Sequence, residues 1–235
     1  MLSILLLGFM VGTGHAFEPD HMAAVSSLVC DKNARRDIVR HGVVWGIGHT
    51  LVLLIVGGTA LMLKKTFSPE FAIGMEGVVG VMLIGLGAHV FYRIRRDRVH
   101  FHRHAHADGV QHIHVHSHKH DTAPHRPQSH RHGHPDRSAW RTLIVGFTHG
   151  LAGSAAIILA TAATLDSAPL GLVYIAVFGA GSILGMAIVS LTMSFVLLPV
   201  RALTGVSNGL HYAIGTVTMG FGAYVLIHSG QALLG

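Results

Sequence analysis

The sequence predicts an all-α integral membrane protein whose six transmembrane helices form two inverted three-helix repeats, joined by a disordered histidine-rich loop. Composition is the first reason: half of the 235 residues are hydrophobic and only 12% are charged, whereas about a quarter of the residues in soluble proteins are charged. The second reason is the presence of six apolar segments of membrane-spanning length. The third reason is that the histidines are concentrated in one segment, since 13 of the 21 fall between His100 and His134.

Each predicted span contains the roughly 20 mostly apolar residues that a helix needs to cross about 30 Å of hydrocarbon. The six spans run from Leu2 to Val29, Val39 to Leu63, Glu70 to Tyr92, Arg141 to Leu165, Pro169 to Leu198, and Asn208 to Ser229. A cleaved signal peptide has basic residues before its apolar core. No Lys or Arg precedes Lys32, so we expect the first span to remain in the mature protein.

The apolar segments repeat one another at a nearly constant distance along the chain. Three glycine patterns recur 133 to 135 positions later: Val11-Gly12-x-x-His15 as Val145-Gly146-x-x-His149, Gly46-x-Gly48 as Gly179-x-Gly181, and Gly85-x-Gly87-Ala88 as Gly220-x-Gly222-Ala223. Three spans per half is an odd number, so the second half would be inverted. Many secondary transporters are built in this way and bind their substrate near the membrane midplane. The alternative is that these glycines serve only close helix packing.

The repeats divide the chain into a first membrane unit (1–96), a histidine-rich linker (97–138) and a second membrane unit (139–235). The loops after spans one, three and five carry fifteen Lys or Arg residues, whereas the opposite side carries only Lys64 and Lys65. Because basic loops stay in the cytoplasm, we expect a cytoplasmic linker and both termini outside. The bacterial cytoplasmic (inner) membrane is the expected location.

Several classes of function are disfavoured by what the chain contains. The basic surplus of the linker region equals the whole net charge of +6, so a distributed nucleic-acid surface is a poor explanation for the charge. The single Cys30 excludes an intramolecular disulfide, and with it a thiol electron carrier or a thiolate zinc cluster. No GxxxxGK[ST] loop is present to bind ATP. We therefore expect a secondary carrier in the lipid bilayer, with no enzymatic activity and no prosthetic group.

The first span carries four ionisable or polar side chains within seven residues, His15-Ala-Phe-Glu18-Pro19-Asp20-His21. Such groups cost a few kcal/mol each inside a membrane and are candidates for function. Pro19 lacks the N–H that would bond the carbonyl of His15, which favours a kink or a break. A break would let His15, Asp20 and His21 converge, whereas a straight helix would place His15, Glu18 and His21 on one face.

Imidazole and carboxylate groups are typical ligands of borderline divalent metals such as nickel, cobalt, zinc and iron. Manganese is a further candidate. The carboxylates also disfavour an anion exporter. His49, between the small residues Gly48 and Thr50, adds an intramembrane histidine in the second span. The remaining candidate ligands in the spans are Glu76, His149 and His211. For each of these alone, a hydrogen bond between helices is an equally good interpretation.

A family resemblance rests on His15-x4-Asp20-His21, followed by Met22-Ala23-Ala24-Val25 and then by the helix with Gly48-His49-Thr50. This pattern resembles the nickel/cobalt transporter family, in particular its short six-span, urease-accessory-type branch. The resemblance covers both membrane halves. It implies permeation of Ni²⁺ or Co²⁺, with His15, Asp20, His21 and His49 at the matching site positions.

Two departures leave the direction of transport open. Glu18-Pro19 and the long histidine-rich loop look more like the nickel/cobalt efflux proteins, whereas Asp20 looks like the uptake members. A further alternative is a membrane metal-binding scaffold that supplies nickel to an apo-enzyme. The expected partners are divalent metal ions, the lipid bilayer and a cytoplasmic metallochaperone. The oligomeric state cannot be derived from the sequence.

The linker histidines alternate with other residues. Low apolar content predicts disorder, and alternate side chains of an extended chain point the same way, so they could bind metal in pairs. We expect weak metal buffering there, with a solvated spacer as the alternative. The residues expected to bind are His112, His114, His116, His118 and His120.

Overall fold

The computed structural model describes residues 2–63, 68–96, 100–105, 111–116, 137–150, 161–165, 167–202 and 204–234. The main helices of this part are α1 (Leu2–His15), α2 (Pro19–Val29), α3 (Arg35–Val52), α4 (Gly58–Leu63), α5 (Pro69–Arg96), α6 (Arg137–His149), α7 (Ala168–Ala202) and α8 (Thr204–Leu234). A short π-helical segment, Leu53–Gly57, joins α3 to α4. Two strands, β1 (His100–Ala105) and β2 (Gln111–His116), lie between α5 and α6.

The protein is a helical membrane protein. Among the described residues, four helical segments are long and apolar enough to cross a bilayer: Arg35–Leu63, Pro69–Arg95, Ala168–Val200 and Gly209–Leu234. Helices α1 and α2 together make a fifth candidate, bent by 55° where they meet. Of the predicted fourth span, the structure describes α6 and residues 161–165, and residues 151–160 lie outside the described part. The predicted fourth span, which would bring the total to six, therefore stays a prediction.

The predicted break in the first span is confirmed. Pro19 is the first residue of α2, a position where its missing N–H needs no partner. The N–H of Phe17 donates to the carbonyl of Gly14 at 2.9 Å, and that of Glu18 donates to the carbonyl of His15 at 3.1 Å. These bonds close the end of α1 in a tight turn. The chain then changes direction within the segment that carries the candidate ligands.

Glycines set the closest contacts between the long helices. A Cβ atom on Gly12 of α1 would lie 2.1 Å from the carbonyl oxygen of Phe178 in α7. A Cβ atom on Gly146 of α6 would lie at the same distance, 2.1 Å, from the carbonyl oxygen of Trp45 in α3. Both helix pairs could approach so closely only with glycine at these positions.

The glycine contacts also give the direction of each helix pair. Helices α1 and α7 run parallel, as do α3 and α6, whereas α3 runs antiparallel to α7 and α5 antiparallel to α8. The contacts that establish these directions are, in the same order, Gly8–Tyr174 and Gly185–Thr13, Gly146–Trp45 and Gly150–His49, Gly42–Ser190 and Gly179–Thr50, and Gly77–Ser229 and Gly87–Gly215.

Large apolar side chains separate into a buried core and an outer surface. The core lies between α2, α3, α5 and α7 and includes Val25, Ile38, Trp45, Leu83 and Met186, all at most 1% exposed. The outer faces keep many exposed leucines, valines and aromatic residues. An apolar outer surface of this kind suits contact with lipid.

Part of the linker differs from the predicted disorder. Strands β1 and β2 pair antiparallel, with His100 opposite His116, His102 opposite His114, and His104 opposite His112. The physical reason is the alternating sequence, since a two-residue period is also that of a β-strand. The predicted ligands His118 and His120 lie outside the described residues.

Candidate metal centre

The break between α1 and α2 brings four histidines from four helices into one buried cluster. His15 ends α1, His21 lies in the first turn of α2, His49 lies in α3, and His149 ends α6. His15 is 5% exposed and each of the other three is 1% exposed. The ring centroid of His21 lies 4.3 Å from that of His15, 5.5 Å from that of His49 and 4.2 Å from that of His149. The sequence predicted all four as candidate ligands, and the structure places them together.

Asp20 joins two of these histidines. One oxygen of its carboxylate, Oδ1, lies 2.9 Å from Nδ1 of His21, and the other, Oδ2, lies 2.8 Å from Nε2 of His149. Because a carboxylate only accepts hydrogen bonds, His21 donates from Nδ1 and His149 donates from Nε2. In its neutral form, His21 then carries its lone pair on Nε2, the atom on the far side of the ring from Asp20.

Glu18 plays the corresponding part for His15. Its Oε1 lies 2.7 Å from Nδ1 of His15, so this nitrogen donates to the carboxylate. The Glu18 side chain is 47% exposed, whereas the His15 side chain is 3% exposed. Histidine ligands of metals commonly donate one ring N–H to a carboxylate, which fixes the ring and raises the basicity of the other nitrogen.

Several nitrogens of the cluster have no hydrogen-bond partner among the described residues. They are Nε2 of His21, both ring nitrogens of His49, and Nδ1 of His149. A buried polar group without a partner costs about 1–3 kcal/mol. Three neighbouring imidazoles that each have at least one unpartnered nitrogen therefore suit a cation that accepts their lone pairs.

Two groups of ligand atoms are close enough to hold an ion. One consists of His15, His21 and His49, and the other consists of Asp20, His21 and His149, with the atoms of each group within 4.8 Å of one another. First-row divalent metals bind imidazole nitrogen at about 2.0–2.1 Å. Small side-chain movements would bring either group to that distance. His21 belongs to both groups.

Trp45 forms a wall of the cluster that sequence reasoning missed. It is fully buried, and its ring lies 4.9 Å from that of His21, 5.8 Å from that of His49 and 5.2 Å from that of His149. Its Nε1 also has no partner among the described residues. The available signal was the spacing of four residues between Trp45 and His49, which places both on one face of α3. An apolar wall keeps water and other ligands away from a metal site.

Two predicted ligands lie away from the cluster. His211, in α8, donates from Nε2 to the carbonyl oxygen of Cys30 at 3.0 Å. Glu76 lies in α5 and belongs to neither group of ligand atoms found among the described residues.

Polar contacts attach α2 to α5 and α8. The hydroxyl groups of Ser27 and Thr218 lie 2.8 Å apart, and the guanidinium of Arg93 pairs with the carboxylate of Asp31, just after the end of α2. Helix α1 instead packs against α7 through Gly12. The second half of the first span therefore adds contacts with α5 and α8, and the candidate ligands lie at the junction between the two halves.

Comparison with known proteins gives one informative match. The chain is 37% identical over 194 residues to the urease accessory protein UreH of Bacillus sp. (strain TB-90), which covers 79% of this chain and 74% of that protein. No protein-family model matches the chain, and no solved structure matches it.

Proposed function

Because the chain belongs to the family of the urease accessory protein UreH, we propose that it is a secondary transporter that carries Ni²⁺ or Co²⁺ across the membrane. Family membership confirms the predicted resemblance to the urease-accessory-type branch. The observation that carries the proposal is the cluster of His15, His21, His49 and His149. These four buried side chains meet at a broken membrane helix, and nitrogens of His21, His49 and His149 have no hydrogen-bond partner among the described residues.

The cation binds first to His15, His21 and His49 in this proposal. Glu18 and Asp20 each accept a hydrogen bond from one of these rings and hold it in place. Three imidazoles in a site without thiolate favour borderline divalent metals, and affinity within that group rises towards nickel. Zinc, iron and manganese are the alternative cargo ions for the same ligands. No resident cofactor is needed, since the metal is what the protein carries.

An inverted repeat of six spans is the proposed framework for transport. Gly12 contacts Phe178 in the same way as Gly146 contacts Trp45, and the residues of the two contacts are related by offsets of 134 and 133 positions. This agreement between two separate helix contacts supports a repeat in three dimensions, in addition to the sequence pattern. The two halves would move against each other to expose the site alternately.

The proposed location is the bacterial cytoplasmic membrane, with both termini outside and the linker in the cytoplasm, because basic residues concentrate on the linker side. The linker would hold metal weakly and pass it to a cytoplasmic metallochaperone. The register of β1 and β2 supports this, since it sets three pairs of histidines opposite one another. The other linker histidines, His118 and His120, remain predicted ligands.

A metal-binding scaffold that supplies nickel to an apo-enzyme is the second candidate function. The histidine pairs of the linker favour it, and so does the word accessory in the name of the relative. A scaffold would bind metal without moving it through the membrane, which makes the two functions separable.

Transport of ⁶³Ni by the full chain in proteoliposomes tests the proposal. Vesicles that hold the protein in either orientation are used. Ni²⁺, or one of Co²⁺, Zn²⁺, Fe²⁺ and Mn²⁺, is placed either inside the vesicles or in the outside medium. We expect metal flux that His49→Ala abolishes and that the exposed control His228→Ala leaves unchanged. Stoichiometric binding without flux in either direction would instead favour the scaffold, and the direction of flux separates uptake from efflux.

A further inference from the structure

We infer that the cation occupies two positions in succession, which share His21. The first position consists of His15, His21 and His49, and the second of Asp20, His21 and His149. The inference rests on the proposed transport function and adds an order of binding to it.

The two ring nitrogens of His21 serve different positions. Nε2 has no partner among the described residues and is the atom available to the first position. Nδ1 lies 2.9 Å from Asp20 and faces the second position. The ring of His21 lies at nearly equal centroid distances from His15 (4.3 Å) and His149 (4.2 Å). A cation could therefore pass from Nε2 to Nδ1 of the same ring, while the proton of Nδ1 is transferred to the vacated Nε2.

Hydrogen bonding determines which position is filled first. In the first position, Nε2 of His21 and both nitrogens of His49 have no partner among the described residues, so a cation displaces no hydrogen bond of these three atoms. In the second position, Nδ1 of His21 and Nε2 of His149 already donate hydrogen bonds to Asp20. Entry of the cation must break these two bonds, and the proton of each ring moves to the other nitrogen of that ring, which has no partner among the described residues. The negative charge of Asp20 offsets the loss by attracting the cation in a medium of low dielectric constant.

The second position differs from the first in the parts of the chain that it joins. His15, His21 and His49 all precede the linker, whereas His149 follows it. Transfer to the second position therefore replaces contacts within the first membrane unit by contacts between the two units. A step of this kind is what a transporter with two moving halves requires of its substrate.

The test compares His149→Gln with His49→Gln in the purified full chain, with affinity for Ni²⁺ measured by calorimetry and flux measured in proteoliposomes. We expect His49→Gln to weaken binding by about tenfold or more, the usual range for altered metal sites. His149→Gln should leave affinity within about threefold of the wild type and reduce flux by about tenfold or more. His228→Gln, on an exposed face of α8, is the control for both measurements.

A double variant keeps the inference testable if either single variant gives an ambiguous affinity. In the His49→Gln background only the second position remains, so adding His149→Gln should weaken the residual binding by about another tenfold. If His149→Gln in the wild-type background weakens binding as strongly as His49→Gln, the cluster is a single site. Wild-type flux in His149→Gln would also overturn the inference. The proposed transport function itself fails only if the wild type moves no metal.

Discussion

Nε2 of His149 donates a hydrogen bond of 2.8 Å to Oδ2 of Asp20, a residue 129 positions earlier in the chain. The bond connects the end of α6 to the first turn of α2 and so joins the two membrane units at the candidate metal centre. Oδ1 of the same carboxylate holds His21 at 2.9 Å. Asp20 therefore orients two rings at once, with one carboxylate oxygen for each ring.

Asp20→Asn should weaken Ni²⁺ binding by about 10–100-fold, because an amide offers one acceptor oxygen where the carboxylate offers two. Calorimetric titration of the purified protein measures this effect. Asp37→Asn is the matched control, since Asp37 is exposed in the first turn of α3 and distant in sequence from every ligand. Equal affinity in Asp20→Asn and the wild type would contradict the role given to this carboxylate.

Glu18→Gln should have a smaller effect than Asp20→Asn. Glu18 contacts one ring of the cluster, His15, and nearly half of its side chain is exposed, so solvent screens its charge. We expect a loss of about threefold in Ni²⁺ affinity, at the lower end of the effect of such partners. Should Glu18→Gln prove as damaging as Asp20→Asn, Glu18 would be a direct ligand.

Trp45 should report metal binding by fluorescence. Its ring lies within 6 Å of three histidine rings of the cluster, whereas Trp140 is 65% exposed on α6. In a Trp140→Phe background, Ni²⁺ and Co²⁺ should quench the remaining emission with the same dissociation constant that calorimetry gives. Quenching that survives in Trp45→Phe and disappears in Trp140→Phe would place the bound metal elsewhere.

Two neighbouring glycines of α8 should respond in opposite ways to the same substitution. A Cβ atom on Gly222 would lie 2.7 Å from the carbonyl oxygen of Gly80, whereas a Cβ atom on Gly220 meets no atom within 4 Å. Gly222→Ala should lower stability by about 1–3 kcal/mol through overpacking. Gly220→Ala should be neutral or stabilise by up to about 1 kcal/mol through helix propensity. Thermal unfolding in detergent measures both, and equal melting temperatures would argue against the close packing of α5 on α8.

Serine substitutions in the linker should separate metal storage from metal transport. Replacing His102, His104, His112 and His114 removes two of the three histidine pairs in the strand register. Fewer weakly bound Ni²⁺ ions per chain should then be found by equilibrium dialysis, with the tight site and the flux unchanged. A loss of flux would show that metal passes through the linker as part of transport.

Local sequence was sufficient to predict the broken helix and the ligands nearest to it. Pro19 cannot continue the hydrogen bonding of α1, so His15, Asp20 and His21 could be expected to converge. The apolar segments predicted the ends of α5, α7 and α8 to within a few residues. The largest difference is at the C-terminal end of α8, which continues beyond the predicted Ser229. These features depend on neighbours in the sequence, which is why sequence patterns reveal them.

Contacts between distant segments were not predictable in the same way. The bond from His149 to Asp20 and the wall formed by Trp45 depend on how closely α3 and α6 approach, which glycine contacts determine. Glu76 and His211 occupy equivalent positions of the two halves, yet the antiparallel pairing of α5 with α8 places them towards opposite ends of that pair. The strands of the linker were missed because an alternating polar sequence is compatible with both disorder and a strand.

His21 is the residue on which both ligand groups depend, so its removal is the most direct test. The measurement is ⁶³Ni flux in proteoliposomes that contain equal amounts of wild-type, His21→Gln and His228→Gln protein. We predict flux at the level of protein-free liposomes for His21→Gln and wild-type flux for His228→Gln. Wild-type flux in His21→Gln would contradict the assignment of this cluster as the path of the metal.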